Sequence, residues 1–168
     1  MRAATAGPHS HRPGCGCRGR ALGGRLAAEG WSLRGTTRDP EHVADIEAAG
    51  IEAAVADPQR PGTLLDLVGD VTVVHWLLAT AQAEPEVIVA IHGARLEALL
   101  ERLVDTPVRG FVYEAAGDVQ CMHLERGAEL VRSAAETWRI PVEVVETGPA
   151  DLDRWLEAMT AATQRLVA

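Results

Sequence analysis

Three glycines near the start of the chain, Gly14-x-Gly16-x-x-Gly19, have the spacing of a phosphate-binding turn. In such a turn the first glycine permits the tight bend and the second lets a pyrophosphate approach the backbone. The third lets the following helix pack closely on its strand. The free amides at the start of that helix, read here as Arg20 to Glu29, would face the phosphates. Further on the chain reads Thr36-Thr37-Arg38-Asp39. A site for NAD wants a carboxylate here for the ribose 2′-hydroxyl, whereas an arginine suits a 2′-phosphate. Thr37 stands at the carboxylate's place and Arg38 follows it, which favours NADP. Asp39 lies about 20 residues beyond Gly19 and keeps NAD open.

Other residues could in principle do chemistry. His9-x-His11, Cys15-x-Cys17 and Cys121-x-His123 are close pairs of nitrogen and sulfur ligands that zinc would accept. Cys15 and Cys17 fall inside the glycine turn, where small side chains are wanted anyway, and the spacings are not those of common zinc modules. No metal site is expected. His75, in the middle of an apolar run, reads as a satisfied core histidine. His92, just before Gly93, either lines the crevice beyond the strand ends or marks a surface break between helices. Tyr113 and Glu114 end a strand near where a substrate would sit; the structural alternative is a strand-end tyrosine with its hydroxyl in water. Trp31, Trp76, Trp138 and Trp155 fit core positions.

The elements that would position these residues alternate almost without a break. Strands are expected at Trp31–Thr37, Ile51–Ala56, Val71–Leu78, Val108–Ala115 and Ile140–Val145. Helical spacing occupies Glu41–Ala49, Thr63–Val68, Glu84–Val104 (broken near His92-Gly93), Leu124–Trp138 and Asp151–Val167. Val71–Leu78 is nearly continuous in apolar residues, as a strand buried on both faces should be. The alternation implies an α/β fold: one doubly wound, Rossmann-like domain, with a mostly parallel sheet and helices on both faces.

The chain's 168 residues suit a single domain, and 47% hydrophobic with 24% charged residues suits a globular one. A net charge of −8 argues against nucleic acid or an anionic membrane as partner. The basic residues nevertheless cluster early, at Arg12, Arg18, Arg20, Arg25, Arg34 and Arg38, which leaves room for a local anion site. No apolar run reaches the ~18 residues of a membrane span. No secretory signal is expected after Arg2, and three cysteines make no disulfide framework, so the cytoplasm is the expected location. The weak point is the first strand, which should be rich in β-branched apolar residues. Residues 1–13 read as an irregular arm or a degraded strand before the nucleotide-binding domain at 14–168. Only Arg2–Ala6 offers a substitute, with Gly7–Pro13 as an insertion, so the strand is expected to be short, displaced or absent.

With GCGCRG (14–19), RGTTRDP (34–40), VADP (55–58), VVHWLLATA (73–81) and RGFVYEAAG (109–117), the chain resembles the atypical extended short-chain dehydrogenase/reductases, including the NAD(P)-dependent epimerase-like proteins. The resemblance runs from Gly14 to about Glu146. It implies phosphate contacts at Gly14, Gly16, Cys17, Arg18 and Gly19, and ribose or 2′-phosphate contacts at Thr37 and Arg38. Asp57 and Pro58 would lie by the adenine, with Leu78, Ala79 and Thr80 lining the cofactor. The family's Tyr-x-x-x-Lys dyad is not matched: the single tyrosine, Tyr113, has Gly117 four residues later, and no lysine completes the motif. Glu114-Ala115-Ala116-Gly117 stands where the family's serine would be expected. With the sequence ending at Ala168, the family's C-terminal substrate domain is expected to be missing. Two functions follow as expectations: an NADP-binding, oxidoreductase- or epimerase-like protein acting on a small molecule, or a non-catalytic domain that senses the cofactor or binds a protein. A homodimer through the last helix is a further expectation.

Overall fold

The computed structural model describes residues 1–6 and 17–168, with the backbone alone for residues 2–6. Six strands form one parallel sheet: β1 Arg2–Ala6, β2 Ser32–Thr37, β3 Glu52–Val55, β4 Val73–Trp76, β5 Gly110–Glu114 and β6 Val142–Val145. Their order is β3-β2-β1-β4-β5-β6. This is the doubly wound order in which two mononucleotide-binding halves meet where the winding reverses. The reversal lies between β1 and β4.

β1 is short, as expected, but neither displaced nor absent. It pairs with β2 from Arg2↔Ser32 to Ala6↔Thr36 and with β4 from Ala3↔Val73 to Ala6↔Trp76. A parallel ladder needs backbone groups more than particular side chains, so Arg-Ala-Ala-Thr-Ala can fill a central slot whose neighbours carry the apolar surface. The insertion at 7–13 and the glycines at 14 and 16 lie outside the described residues.

Helices cover both faces. α1 (Cys17–Ala28) and α7 (Leu152–Arg165) pack on one, where Leu22, Leu26, Trp155, Leu156 and Met159 join Leu33, Val73 and Val112 in a core. α2 (Val43–Glu47) adds Ile46 to the same layer. α3 (Pro61–Leu65), α4 (Pro85–Ile91), α5 (Ala94–Leu103) and α6 (Cys121–Trp138) cover the other face. There Leu64, Ile91, Leu96, Leu100, Leu124 and Val131 meet Val74, Trp76 and Phe111. β4 and β5 are buried along their whole length, which for β4 explains the near-continuous apolar run that announced it.

Local chemistry sets the element ends. Asp39 and Asp151 accept from the backbone amides of Glu41 and Arg154 through Oδ1, and Pro40, Pro61 and Pro85 stand in first helical turns. The expected break at His92-Gly93 separates α4 from α5. A Cβ at Gly93 would lie 2.6 Å from the Val89 carbonyl oxygen, so the chain passes the break only without a side chain there. α6 begins at Cys121, three residues before the expected Leu124, because Gln120 already turns the chain into the helix.

Candidate functional site

In open α/β sheets, ligands bind in the crevice outside the carboxyl ends of the strands, at the reversal of strand order. A cleft lies there, between the ends of β2 and β3 and the segment that leads from β4 into α4. Arg38, Asp57, Pro58, Leu78, Gln82 and Ile91 line it, and it encloses about 320 Å³, part of it open to solvent. Arg38 directly follows β2, Asp57 and Pro58 follow β3, and Leu78 and Gln82 follow β4. Four of the residues singled out in the sequence, Arg38, Asp57, Pro58 and Leu78, thus converge on one site.

Arg38 is exposed at the lip and has no hydrogen-bond or ion-pair partner among the described residues. Asp57 is fixed by its turn: its amide nitrogen and the Thr63 hydroxyl are 3.0 Å apart, and its Oδ1 accepts from the Gln59 amide at 3.0 Å. Thr37 faces inward instead. It is buried, and its hydroxyl accepts from the Asp39 amide at 3.0 Å, so it braces the turn that presents Arg38. Gly19 sits on α1, where a Cβ would meet nothing within 4 Å. The close approach expected of the third glycine falls one turn later, at Gly23, whose Cβ would lie 2.4 Å from Ile51 Cδ1. Cys17 is exposed at the start of α1, 3.4 Å from Arg20 Nη2. Gly14 and Gly16 lie outside the described residues.

At the ends of β4 and β5 the described polar side chains bond to one another. Arg18, in the first turn of α1, reaches across the strand ends. Its Nη1 donates to Glu114 Oε1 at 2.5 Å and its Nη2 to Thr80 Oγ1 at 2.5 Å. Trp155 Nε1 also donates to Glu114 Oε1, at 2.9 Å, and the Ala79 amide donates to Oε2 at 3.1 Å. The guanidinium lies 5.1 Å from the Trp155 ring centroid, in cation–π range. One carboxylate therefore ties α1, β4, β5 and α7 together. Burial pushes the Glu114 carboxyl above the usual carboxylate range, and the Arg18 charge and the three donors pull it back.

Behind this network, His92 and Tyr113 pair in the core, with Nδ1 2.7 Å from the tyrosine hydroxyl. His92 Nε2 lies 3.3 Å from the Leu78 carbonyl oxygen, which can only accept. A neutral ring carrying its proton on Nε2 therefore donates to Leu78 and accepts from the Tyr113 hydroxyl. Burial depresses the His92 pKa to about 4, and the same burial raises that of Tyr113. The expected substrate contacts, Tyr113, Glu114 and His92, are thus enclosed, and the Tyr113 hydroxyl is not in water. Of the three loop residues expected to line a cofactor, only Leu78 faces the cleft. Ala79 and Thr80 are buried and bond to Glu114 and Arg18.

This geometry predicts a pH dependence. Because the folded pKa of His92 lies below its unfolded value of about 6.5, the unfolded chain binds more protons between these pH values. Stability is full above the unfolded value and falls as pH drops through the window, by about 2 kcal/mol between pH 7 and 5. Urea titrations at the two pH values should show that loss, and His92→Gln should flatten it. An undiminished slope in the variant would remove His92 as its source.

Other expected placements are simpler. His75 is buried, with Nε2 2.8 Å from the Thr163 hydroxyl. Trp31, Trp76 and Trp155 are buried and Trp138 packs against the core, but the hydrogen bond of Trp155 to Glu114 went beyond the expected core role. The sequence signal for it was an acidic residue, Glu114, at the end of an otherwise apolar strand. Among the described residues no three His, Cys, Asp or Glu gather as a metal group, and no helix is long and apolar enough to cross a membrane. His9, His11 and Cys15 lie outside the described residues.

Comparison with known proteins supports the architecture. No protein-family model matches the chain, and no curated protein matches its sequence. Solved structures do. UDP-glucuronic acid 4-epimerase from Bacillus cereus, in complex with NAD, superposes with a TM-score of 0.66 at 15% identity, covering 88% of this chain and 56% of that one. A short-chain dehydrogenase/reductase superfamily protein from Agrobacterium tumefaciens with bound NAD gives 0.66 at 18% identity, covering 87% and 48%. The Citrobacter sp. triphenylmethane reductase complexed with NADP(H) gives 0.61 at 14%, covering 88% and 49%. The chain has the Rossmann-like fold of these epimerases and reductases. It spans about half of the length of each.

Proposed function

We propose that this chain binds a nicotinamide dinucleotide, NADP in preference to NAD, along the carboxyl ends of its parallel strands. The observation that carries this reading is the cleft beside the strand-order reversal, with Arg38 at its lip and Asp57, Pro58 and Leu78 along its walls. An exposed guanidinium just after the second strand, unpaired among the described residues, suits a 2′-phosphate, which it can grip through charge-assisted, bidentate hydrogen bonds. The solved structures of the same fold that hold NAD or NADP(H) support the same ligand class. Bound there, the dinucleotide would supply hydride-transfer chemistry at its nicotinamide, while Arg38, Asp57, Pro58 and Leu78 would hold its adenine nucleotide.

A second reading, in which the domain senses the cofactor without turning it over, is favoured by the placement of the titratable groups. A general acid or base must reach the proton it moves. Tyr113, Glu114 and His92 are buried and bonded to protein partners, and no lysine stands in the sequence to complete a Tyr-x-x-x-Lys dyad.

Titration calorimetry with NADPH and NADH tests the assignment. NADPH should bind more tightly, and Arg38→Ala should cost it roughly 10- to 100-fold, the equivalent of a charge-assisted hydrogen bond of about 1.5–3 kcal/mol. NADH affinity should stay nearly constant. Equal affinities for both cofactors in the unaltered protein would overturn the 2′-phosphate assignment. Without binding of either, no thermal shift would appear, whereas a ligand at ~100 Kd stabilises by about 2.7 kcal/mol.

A further inference from the structure

A doubly wound sheet has two mononucleotide halves, and a dinucleotide normally spans both. In this chain the two halves of the crevice are unlike. The open cleft runs from Arg38, Asp57 and Pro58, after β2 and β3, to the α4-facing side of the segment after β4. Across the reversal, the ends of β4 and β5 are bridged by the Arg18 guanidinium, which bonds Thr80 and Glu114 and lies over Trp155. The loops beyond those strands also press on one another. The Val119 amide donates to the Ala79 carbonyl at 2.9 Å, and a Cβ at Gly117 would lie only 2.3 Å from that oxygen. Glu114 and Ala79 are fully buried and Arg18 keeps a side-chain exposure of 17%.

Resting on the dinucleotide reading above, we propose that the site takes the adenine nucleotide half alone. The Arg18–Glu114–Thr80 clasp closes the second mononucleotide half, so the nicotinamide riboside of a bound cofactor stays outside the protein. The recognised ligand is then an adenosine carrying a 2′-phosphate and a 5′-phosphate, and the nicotinamide adds little affinity. Admitting that second half would require Arg18 to leave a buried carboxylate without its counter-charge, which is strongly unfavourable. The same closure explains why an intact nucleotide cleft coexists with acid/base candidates that face the interior.

Competition calorimetry with adenosine 2′,5′-bisphosphate, NADPH and nicotinamide mononucleotide decides the matter. The bisphosphate and NADPH should bind within about threefold of one another, and the mononucleotide should compete with neither. In the double variant Arg18→Met/Glu114→Gln, which removes the clasp without stranding a charge, NADPH should gain on the bisphosphate by roughly tenfold. NADPH binding more than about tenfold tighter than the bisphosphate in the unaltered protein would overturn the closure and leave the dinucleotide reading standing. Failure of both ligands to bind would overturn the dinucleotide reading itself and the closure with it. Should the double variant not fold, the comparison in the unaltered protein still decides.

Discussion

Replacing Arg18 by alanine should lower the unfolding free energy by about 3 kcal/mol at pH 7, the low end of the range for breaking a buried ion pair. The low end applies because the arginine keeps a side-chain exposure of 17%, while Glu114 is fully enclosed. What is lost is less the attraction itself than the compensation of a carboxylate that cannot reach water. Two further donors, Trp155 Nε1 and the Ala79 amide, remain, so the site does not collapse. The variant should also show a pH signature. Burial already raises the folded pKa of Glu114, so the folded chain binds more protons than the unfolded one above pH ~4.5, and stability falls as pH rises through that window. Without Arg18 the folded pKa rises further. The deficit against the unaltered protein should therefore be small near pH 4.5 and grow toward pH 8. Arg18→Met/Glu114→Gln should recover part of the loss and most of the pH dependence, since it keeps an acceptor for Trp155 but buries no charge. A deficit below about 1 kcal/mol for Arg18→Ala, or one constant across pH, would mean that Glu114 is not held by this arginine.

The architecture was legible because it rests on periodicity. Val71–Leu78, which holds β4, could be read as a doubly buried strand from its apolar run alone, Val108–Ala115 as a strand, and α5 from its leucine stripe. β1 was legible only as a poor substitute at Arg2–Ala6, because Thr5 is its one β-branched residue and it has no large apolar one; its place is set by pairing with β2 and β4 on either side. Arg38 was singled out from its place after β2, and Asp57 and Pro58 from the family resemblance; all three line the cleft, Arg38 exposed and Pro58 buried. The direction of a side chain is another matter. Arg18 belongs by position to a phosphate turn, and only the three-dimensional approach of β5 shows that its charge is spent on Glu114, 96 residues away. Thr37, at the end of β2, and Thr80, in the loop after β4, likewise stand where expected with their hydroxyls turned to protein partners. Sequence spacing places a residue on an element; which neighbour satisfies its polar atoms depends on helices far along the chain, here α7 and its Trp155.

Gly127 shows the same dependence most sharply, and its substitution carries the second large effect. It is buried on α6, and a Cβ there would lie 2.0 Å from the Tyr113 hydroxyl oxygen and 2.5 Å from the ring carbon bearing it. No rotation of a flexible chain end can relieve this, because the tyrosine ring is fully buried and its hydroxyl is held 2.7 Å from His92 Nδ1. Gly127→Ala must therefore displace the ring or the helix. Overpacking of this kind costs about 1–3 kcal/mol. Losing the hydrogen bond leaves a buried His92 acceptor unsatisfied for about 1–3 more. The better helix propensity of alanine returns about 1 kcal/mol, so a net loss near 3 kcal/mol is expected by urea unfolding. Tyr113→Phe alone should cost about 1–2 kcal/mol through the same unsatisfied nitrogen. Combined with Gly127→Ala it should cost less than the sum, because the hydroxyl that meets the new methyl is gone. The remaining contact at the ring carbon keeps the rescue partial. Strict additivity of the two substitutions would show that α6 moves away from β5 rather than Tyr113 yielding. Since His92 also donates to the Leu78 carbonyl beside the cleft, a displaced tyrosine should weaken NADPH binding in Gly127→Ala as well, tying the packing of α6 to the loop that lines the nucleotide.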